Sequence, residues 1–248
     1  MYLTVQALVL RITDYKERDA IITLLTRDHG RMSVKVRGLR HKKSPHTAAC
    51  QLLSVSEFTL FEYQGKYTVN ESRSIELFQG LRRDLQKLSL ATYFAQVTEA
   101  ITQEELPNTD QLSLVLNSLY ALSYTQESEN KIKASFELKT ACYAGYLPDL
   151  GGCMKCGNTY ADRFNVSAGV MECSACRDEN STGLRIPISP TLMDAMRYIV
   201  SCDQKRMLAF TLPEEDMIVL SQTSELYLTT QLERGFSSLD FYKSLLIN

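Results

Sequence analysis

The chain has 248 residues, 44% of them hydrophobic, and its 27 Lys and Arg nearly balance 29 Asp and Glu, for a formal net charge of −2. Such a chain can bury a core in one large domain or two to three small ones, which excludes a fibrous or disordered protein. The longest early apolar run, residues 5–10 with Gln6 inside it, is too short to span a membrane and follows no basic segment of the signal-peptide kind, so the chain is read as cytoplasmic.

The first 75 or so residues read as five short strands, over residues 4–12, 20–26, 31–37, 55–62 and 67–72, with "RDHG" (27–30) and "YQGK" (63–66) as hairpin turns. Five strands in so short a stretch suit a small closed barrel better than an open sheet with two exposed edges, and the oligonucleotide-binding (OB) fold is the commonest such barrel. From Leu81 the apolar period changes to that of a helix buried on more than one side, and the helical pattern continues over 110–122 and 130–147, stopping at Gly145 and Pro148. After a Gly- and Cys-rich insert, helices resume at 189–200, then from a Thr211 to Glu214 capping box to about Gly235, and over 237–246 with Ser237 and Asp240 as a second cap. The expected organisation is an α+β multidomain chain. An OB-fold barrel occupies 1–78, a helical domain 79–150 and 183–248, and an inserted four-cysteine zinc knuckle 151–182.

Within the insert, Cys153 and Cys156 are followed by sixteen residues and then Cys173 and Cys176. Two CxxC pairs at this separation fit one tetrahedral structural zinc, with Gly157 relieving the backbone after the second ligand and no coordination position left for a substrate. The residues between the pairs look too few and too polar for a core, so metal ligation is expected to supply the local folding energy. Two local disulfides, an iron–sulfur cluster or a vestigial motif are the alternatives. In a reducing compartment the seven cysteines are expected as thiols or ligands, and Cys50, Cys142 and Cys202 read as small core residues.

Charge is sorted along the chain. Residues 1–43 hold ten Lys and Arg against Asp14, Glu17, Asp19 and Asp28, a net of +6 that leaves the remainder at −8. In "RMSVKVR" Met32, Val34 and Val36 alternate with Arg31, Lys35 and Arg37, so one face of a strand enters the barrel while the other presents cations. Gly38 then turns the chain into a loop carrying Arg40, His41, Lys42 and Lys43. A row of Lys and Arg gains affinity for a phosphate backbone by releasing condensed counterions. The competing reading is a solvated strand face, and the acidic remainder of the chain favours the polyanion. Phe61, Tyr63 and Tyr67 are read as core rings that would stack bases only if they faced outward. His29, His41 and His46 form no catalytic constellation, and a hydrolase or transferase would need a cleft lined by Asp28 and His29.

These pieces together resemble the bacterial RecO family of recombination mediators. The likeness rests on "ALVLRITDYKERDAIITLLTRDHGRMSVKVRGLRHKKS" (7–44), on "FELKTACYAGYLPDLGGCMKCG" (136–157) and on "CSAC" (173–176), with the order of parts fitting across nearly the whole length. It implies an OB barrel, a helical domain with the knuckle inserted between helices, and no enzymatic step. It further implies binding of single- and double-stranded DNA, annealing of strands coated by single-strand binding protein (SSB), and loading of RecA together with RecR, in the cytoplasm at the nucleoid. Some members lack the cysteines, so a structural role for zinc is implied. The family's basic DNA surface maps to Arg31, Lys35, Arg37, Arg40, Lys42 and Lys43, chosen by strand parity. Its docking site for the acidic, apolar SSB tail is placed on the helix bearing Lys131, Lys133 and Lys139 beside Ile132 and Phe136. The rival reading is a zinc-stabilised protein-interaction scaffold that binds no nucleic acid.

Overall fold

A computed structural model describes residues 1–176 and 183–246. The chain groups into two compact units, Met1–Tyr124 with Phe236–Asn248, and Thr125–Gly235. Helices that the sequence places in one domain therefore fall in both units.

In the first unit five strands close a barrel: β1 (Tyr2–Tyr15), β2 (Asp19–Thr26), β3 (Arg31–Val36), β4 (Val55–Tyr63) and β5 (Lys66–Glu76), in the order β1-β2-β3-β5-β4. This is the oligonucleotide-binding order, with β3 and β5 the one parallel pair among the described strands of the barrel. Alternation explains the core. Val5, Ala7, Val9, Ile22, Leu24, Val34, Val36, Phe58 and Leu60 all point inward, with Cys50 among them. Burial pushes the Cys50 thiol up to about 12, so it is an inert core group, as expected.

A 3-10 turn over Leu81–Arg83 precedes α1 (Leu85–Ile101), which starts late because the Asp84 carboxylate accepts from the N–H groups of Gln86 and Lys87. Two more helices belong to this unit, α2 (Thr109–Tyr124) and, from the far end of the chain, α6, which spans Ser237–Leu245 and packs on α1. The cap expected from Ser237 and Asp240 is not made. Phe236 occupies the N-cap position instead, because its ring packs edge-on against Tyr93 of α1 at 5.5 Å.

The second unit holds α3 (Glu129–Tyr143), α4 (Pro190–Ser201), α5 (Glu214–Gln231) and a four-stranded sheet. The sheet strands are β6 (Asp149–Cys153), β7 (Arg163–Asn165), β8 (Val170–Glu172) and β9 (Arg185–Pro187), ordered β6-β8-β7-β9. No capping box forms at Thr211, since Pro213 takes the N-cap place and the first turn of α5 relies on Glu214, Glu215 and Asp216 to meet the helix dipole. The insert also has a core of its own. Phe164, Val166 and Met171 are buried, and the Phe164 ring stands 5.3 Å from Tyr227 of α5, so side-chain packing assists the cysteines in folding this region.

Candidate nucleic-acid interface and metal centre

At one end of the barrel the turn after β1 and the loop after β3 lie side by side, because Asp14 to Ala20 run back along the hairpin and Ala20 pairs with Val36. Asp19 organises this end. One carboxylate oxygen accepts from the Gly38 N–H at 2.9 Å and the other meets Lys35 Nζ at 2.9 Å. These two contacts hold the Asp19 carboxyl below the usual carboxylate range, the Gly38 N–H contributing most. Gly38 sits at φ +62, and a Cβ there would meet the His41 ring at 2.9 Å, so the turn requires glycine. The loop is tied further by the Arg40 N–H to Arg18 O at 3.2 Å and by successive turns at His41 and Ser44.

The cations at this end differ in availability. Arg37, Lys42 and Lys43 are exposed and make no side-chain hydrogen bond or ion pair among the described residues. Arg40 pairs with Asp14, and Lys35, besides meeting Asp19, lies 5.0 Å from the centre of the Tyr15 ring. Lys16 and Arg18, both exposed in the turn after β1, join the same patch. They were not among the residues read as a phosphate surface, because in "DYKERD" they alternate with acids and only the hairpin brings them beside residues 38–43. Seven cations thus face Asp14, Glu17 and Asp19, a strongly positive surface on a nearly neutral chain.

Arg31 is not part of that surface. Its Nη1 donates to Glu99 O at 2.8 Å and its backbone N–H to Gln103 O at 3.2 Å. Glu99 O lies in the last turn of α1, where unsatisfied oxygens and the helix dipole favour a cation, and Gln103 follows just beyond the helix, so this arginine fastens the end of the helix to the barrel. The core reading of the hairpin rings is also corrected. Phe61 is 41% and Tyr63 63% exposed, and only Tyr67 packs partly against the barrel core. Tyr2, unnoticed in the sequence, lies 5.4 Å from Phe61, centre to centre.

A cleft of about 400 Å³ beside the turn between β2 and β3 is lined by Asp28, His29, Ser33 and Tyr67 among others. It is the cleft a hydrolytic reading would require. No hydrogen bond joins these four side chains to one another, so no nucleophile is paired with a base there.

The two cysteine pairs converge in the second unit. Cys153 ends β6, Cys173 follows β8, and the parallel pairing of Cys153 with Met171 brings the two knuckles together. All four Sγ atoms lie within 4.8 Å of one another, and Cys156 Sγ stands 3.7 Å from Cys173 Sγ. The edge of a tetrahedron with metal–sulfur bonds of about 2.3 Å is about 3.8 Å, so the separation fits one zinc-sized ion. Gly157, at φ +72, turns the first knuckle so that its N–H reaches Cys153 O at 2.8 Å. The backbone N–H of Cys156, with those of Lys155 and Cys173, brings the Cys153 thiol down to about 6. Hydrogen bonds to Cys173, Cys156 and Cys153 push Cys176 up to about 12, since four thiolates this close need a dication between them.

Lys131, Lys133 and Lys139 do not form an exposed cationic edge. Lys133 is 2% exposed and sits between Glu137, at 3.1 Å, and Glu225 of α5, at 2.9 Å. Lys139 is 3% exposed and donates to Cys202 O at 2.5 Å, while Lys131 pairs with Glu127 and lies over the Phe210 ring. α3 is buried all round against α5 and α4, which its polar sequence did not announce, so a carboxylate tail would find no free lysine among these three.

The barrel matches the family model described as recombination protein O N terminal over residues 1–78, and the one described as recombination protein O C terminal matches residues 82–240. The chain belongs to the RecO family. Curated RecO relatives agree. The DNA repair protein RecO of Acetivibrio thermocellus is 34% identical over 247 residues, covering 98% of this chain and 97% of the relative. That of Alkaliphilus metalliredigens is 28% identical over 248 residues, covering 99% and 100%. The Bacillus subtilis RecO is 29% identical over 223 residues, covering 90% and 86%. No helix among the described residues is long and apolar enough to cross a membrane.

Proposed function

We propose that this RecO-family chain is a DNA-binding recombination mediator without bond chemistry of its own, which anneals complementary single strands and helps load a recombinase at SSB-coated gaps during repair. The observation that carries the reading is the cluster of exposed cations at one end of an oligonucleotide-binding barrel, with Arg37, Lys42 and Lys43 free of hydrogen-bond and ion-pair partners among the described residues. Lys16, Arg18, Lys35 and Arg40 extend it, the last two after exchanging a carboxylate for a phosphate. Neutralising phosphates on two strands at once lowers their mutual repulsion, and base pairing then proceeds without a catalyst for bond making or breaking. Single- and double-stranded DNA, the SSB tail, RecR and, through it, RecA are the partners that follow from the family, and the cytoplasmic nucleoid is where they meet. Zinc, held by Cys153, Cys156, Cys173 and Cys176, supplies local folding energy and no Lewis-acid step, because four thiolates close its shell.

The test is filter binding with a labelled oligonucleotide, followed by annealing of complementary strands coated with SSB. Binding that weakens steeply with salt, together with faster annealing, supports the proposal. A well-folded protein that retains no oligonucleotide even at low salt would overturn it and leave the scaffold reading.

A further inference from the structure

Following the outward-facing side chains around the barrel at one level, Lys35 of β3 pairs with Thr68 of β5, Thr68 with Phe61 of β4, and Phe61 with Tyr2 of β1. One row perpendicular to the strands therefore runs from the basic patch to a pair of exposed rings, and it contains no carboxylate. Tyr2 is 61% exposed, Phe61 is 41% exposed, and Tyr63, outward by the same parity, stands next to its strand partner Lys66. Strands lie about 4.8 Å apart, so Phe61 is about 10 Å along the sheet from Lys35, a span of one to two nucleotides.

We propose that Tyr2 and Phe61, flanked by Tyr63, are a stacking platform for the unpaired bases of single-stranded nucleic acid, whose phosphates run on to Lys35 and Arg37. The assignment rests on the DNA-binding reading above and adds to it a site that phosphate contacts do not explain. The occupant is chosen by charge complementarity: a strand with apolar base faces and an anionic backbone matches rings that continue into cations, and every base has a face to stack. An apolar protein segment would satisfy the rings but leave the exposed Arg37 next to Lys35 unmatched. Stacking also distinguishes single from double strands, because paired bases present no free face.

The chain contains no tryptophan, so Phe61→Trp places a single indole reporter at the site. Two probes are used, a dT oligonucleotide and an abasic oligomer of equal length, which has the same phosphates and no bases. The parent should bind dT about tenfold or more tighter than the abasic oligomer. Tyr2→Ala with Phe61→Ala should bind both at the parent's abasic affinity with an unchanged salt slope, and the indole should be quenched by dT alone. A parent that binds both oligomers alike, a folded double variant that keeps the dT preference, or an indole indifferent to dT would each overturn the platform while leaving the phosphate surface standing. If the double variant fails to fold, the indole decides alone. A parent that binds neither oligomer overturns both readings.

Discussion

Replacing Arg37, Lys42 and Lys43 by Ala removes three cations of the loop after β3 that are exposed and have no hydrogen-bond or ion-pair partner among the described residues. If each meets one phosphate on a single strand, the slope of log affinity against log salt should become shallower by about 2, at roughly 0.7 per contact. Between 50 and 200 mM salt the parent would then lose about 20-fold more affinity than the triple variant. The effect should be the same on poly-dT and on mixed sequence, because phosphate contacts position a strand without reading it. Stability should move by no more than about 0.5 kcal/mol per site, since all three side chains stand in solvent. Asp14→Asn is the converse perturbation. It releases Arg40 from its ion pair, so the slope should steepen by up to about 0.7 and binding should tighten. Fluorescence anisotropy across a salt series measures both variants, with melting curves as the control for folding. A folded triple variant that kept the parent's slope would mean that the cluster is a solvated loop and that DNA, if bound, lies elsewhere.

Elemental analysis should find one zinc per chain, and Cys153→Ser should abolish stoichiometric metal while DNA binding by the barrel persists; retained metal would refute the four-cysteine centre. Lys133→Ala should lower the free energy of unfolding in urea by about 3 kcal/mol or more, because it strips a cation from the fully buried Glu137, and a loss below 1 kcal/mol would show that water reaches this site. Glu76→Gln tests a pH effect. Burial raises the Glu76 carboxyl, but the Phe78 N–H, the Tyr124 hydroxyl and the Leu77 N–H outweigh it and hold the group below the usual carboxylate range. A depressed carboxyl stabilises the fold above its unfolded pKa and ceases to do so as pH falls through the folded one. The variant should therefore be less stable than the parent at neutral pH, by less than about 1 kcal/mol because solvent screens the group, with the gap closing in acid. A gap that stays constant from pH 7 to pH 3 would exclude this linkage.

The barrel strands and the four-cysteine cluster were legible in the sequence because both are encoded by spacing. Period-two alternation places Met32, Val34 and Val36 inside whatever the strands pair with, and CxxC pairs bring two thiolates together from one tight turn each. Charge is legible only as a count. Which cations remain free depends on partners far away in the chain, and only the tertiary structure brought Glu99 to Arg31, Asp19 to Lys35 and Glu225 to Lys133. The same holds for exposure. Phe61 and Tyr63 are residues of strong β propensity that the sequence places in a core, and they face solvent because strand parity and barrel closure put their Cβ atoms on the outer surface. The lysines of α3 are the opposite case, with a polar pattern that reads as a solvent-facing helix. α5 and α4 cover that helix, and buried carboxylates and carbonyls make its cations tolerable there.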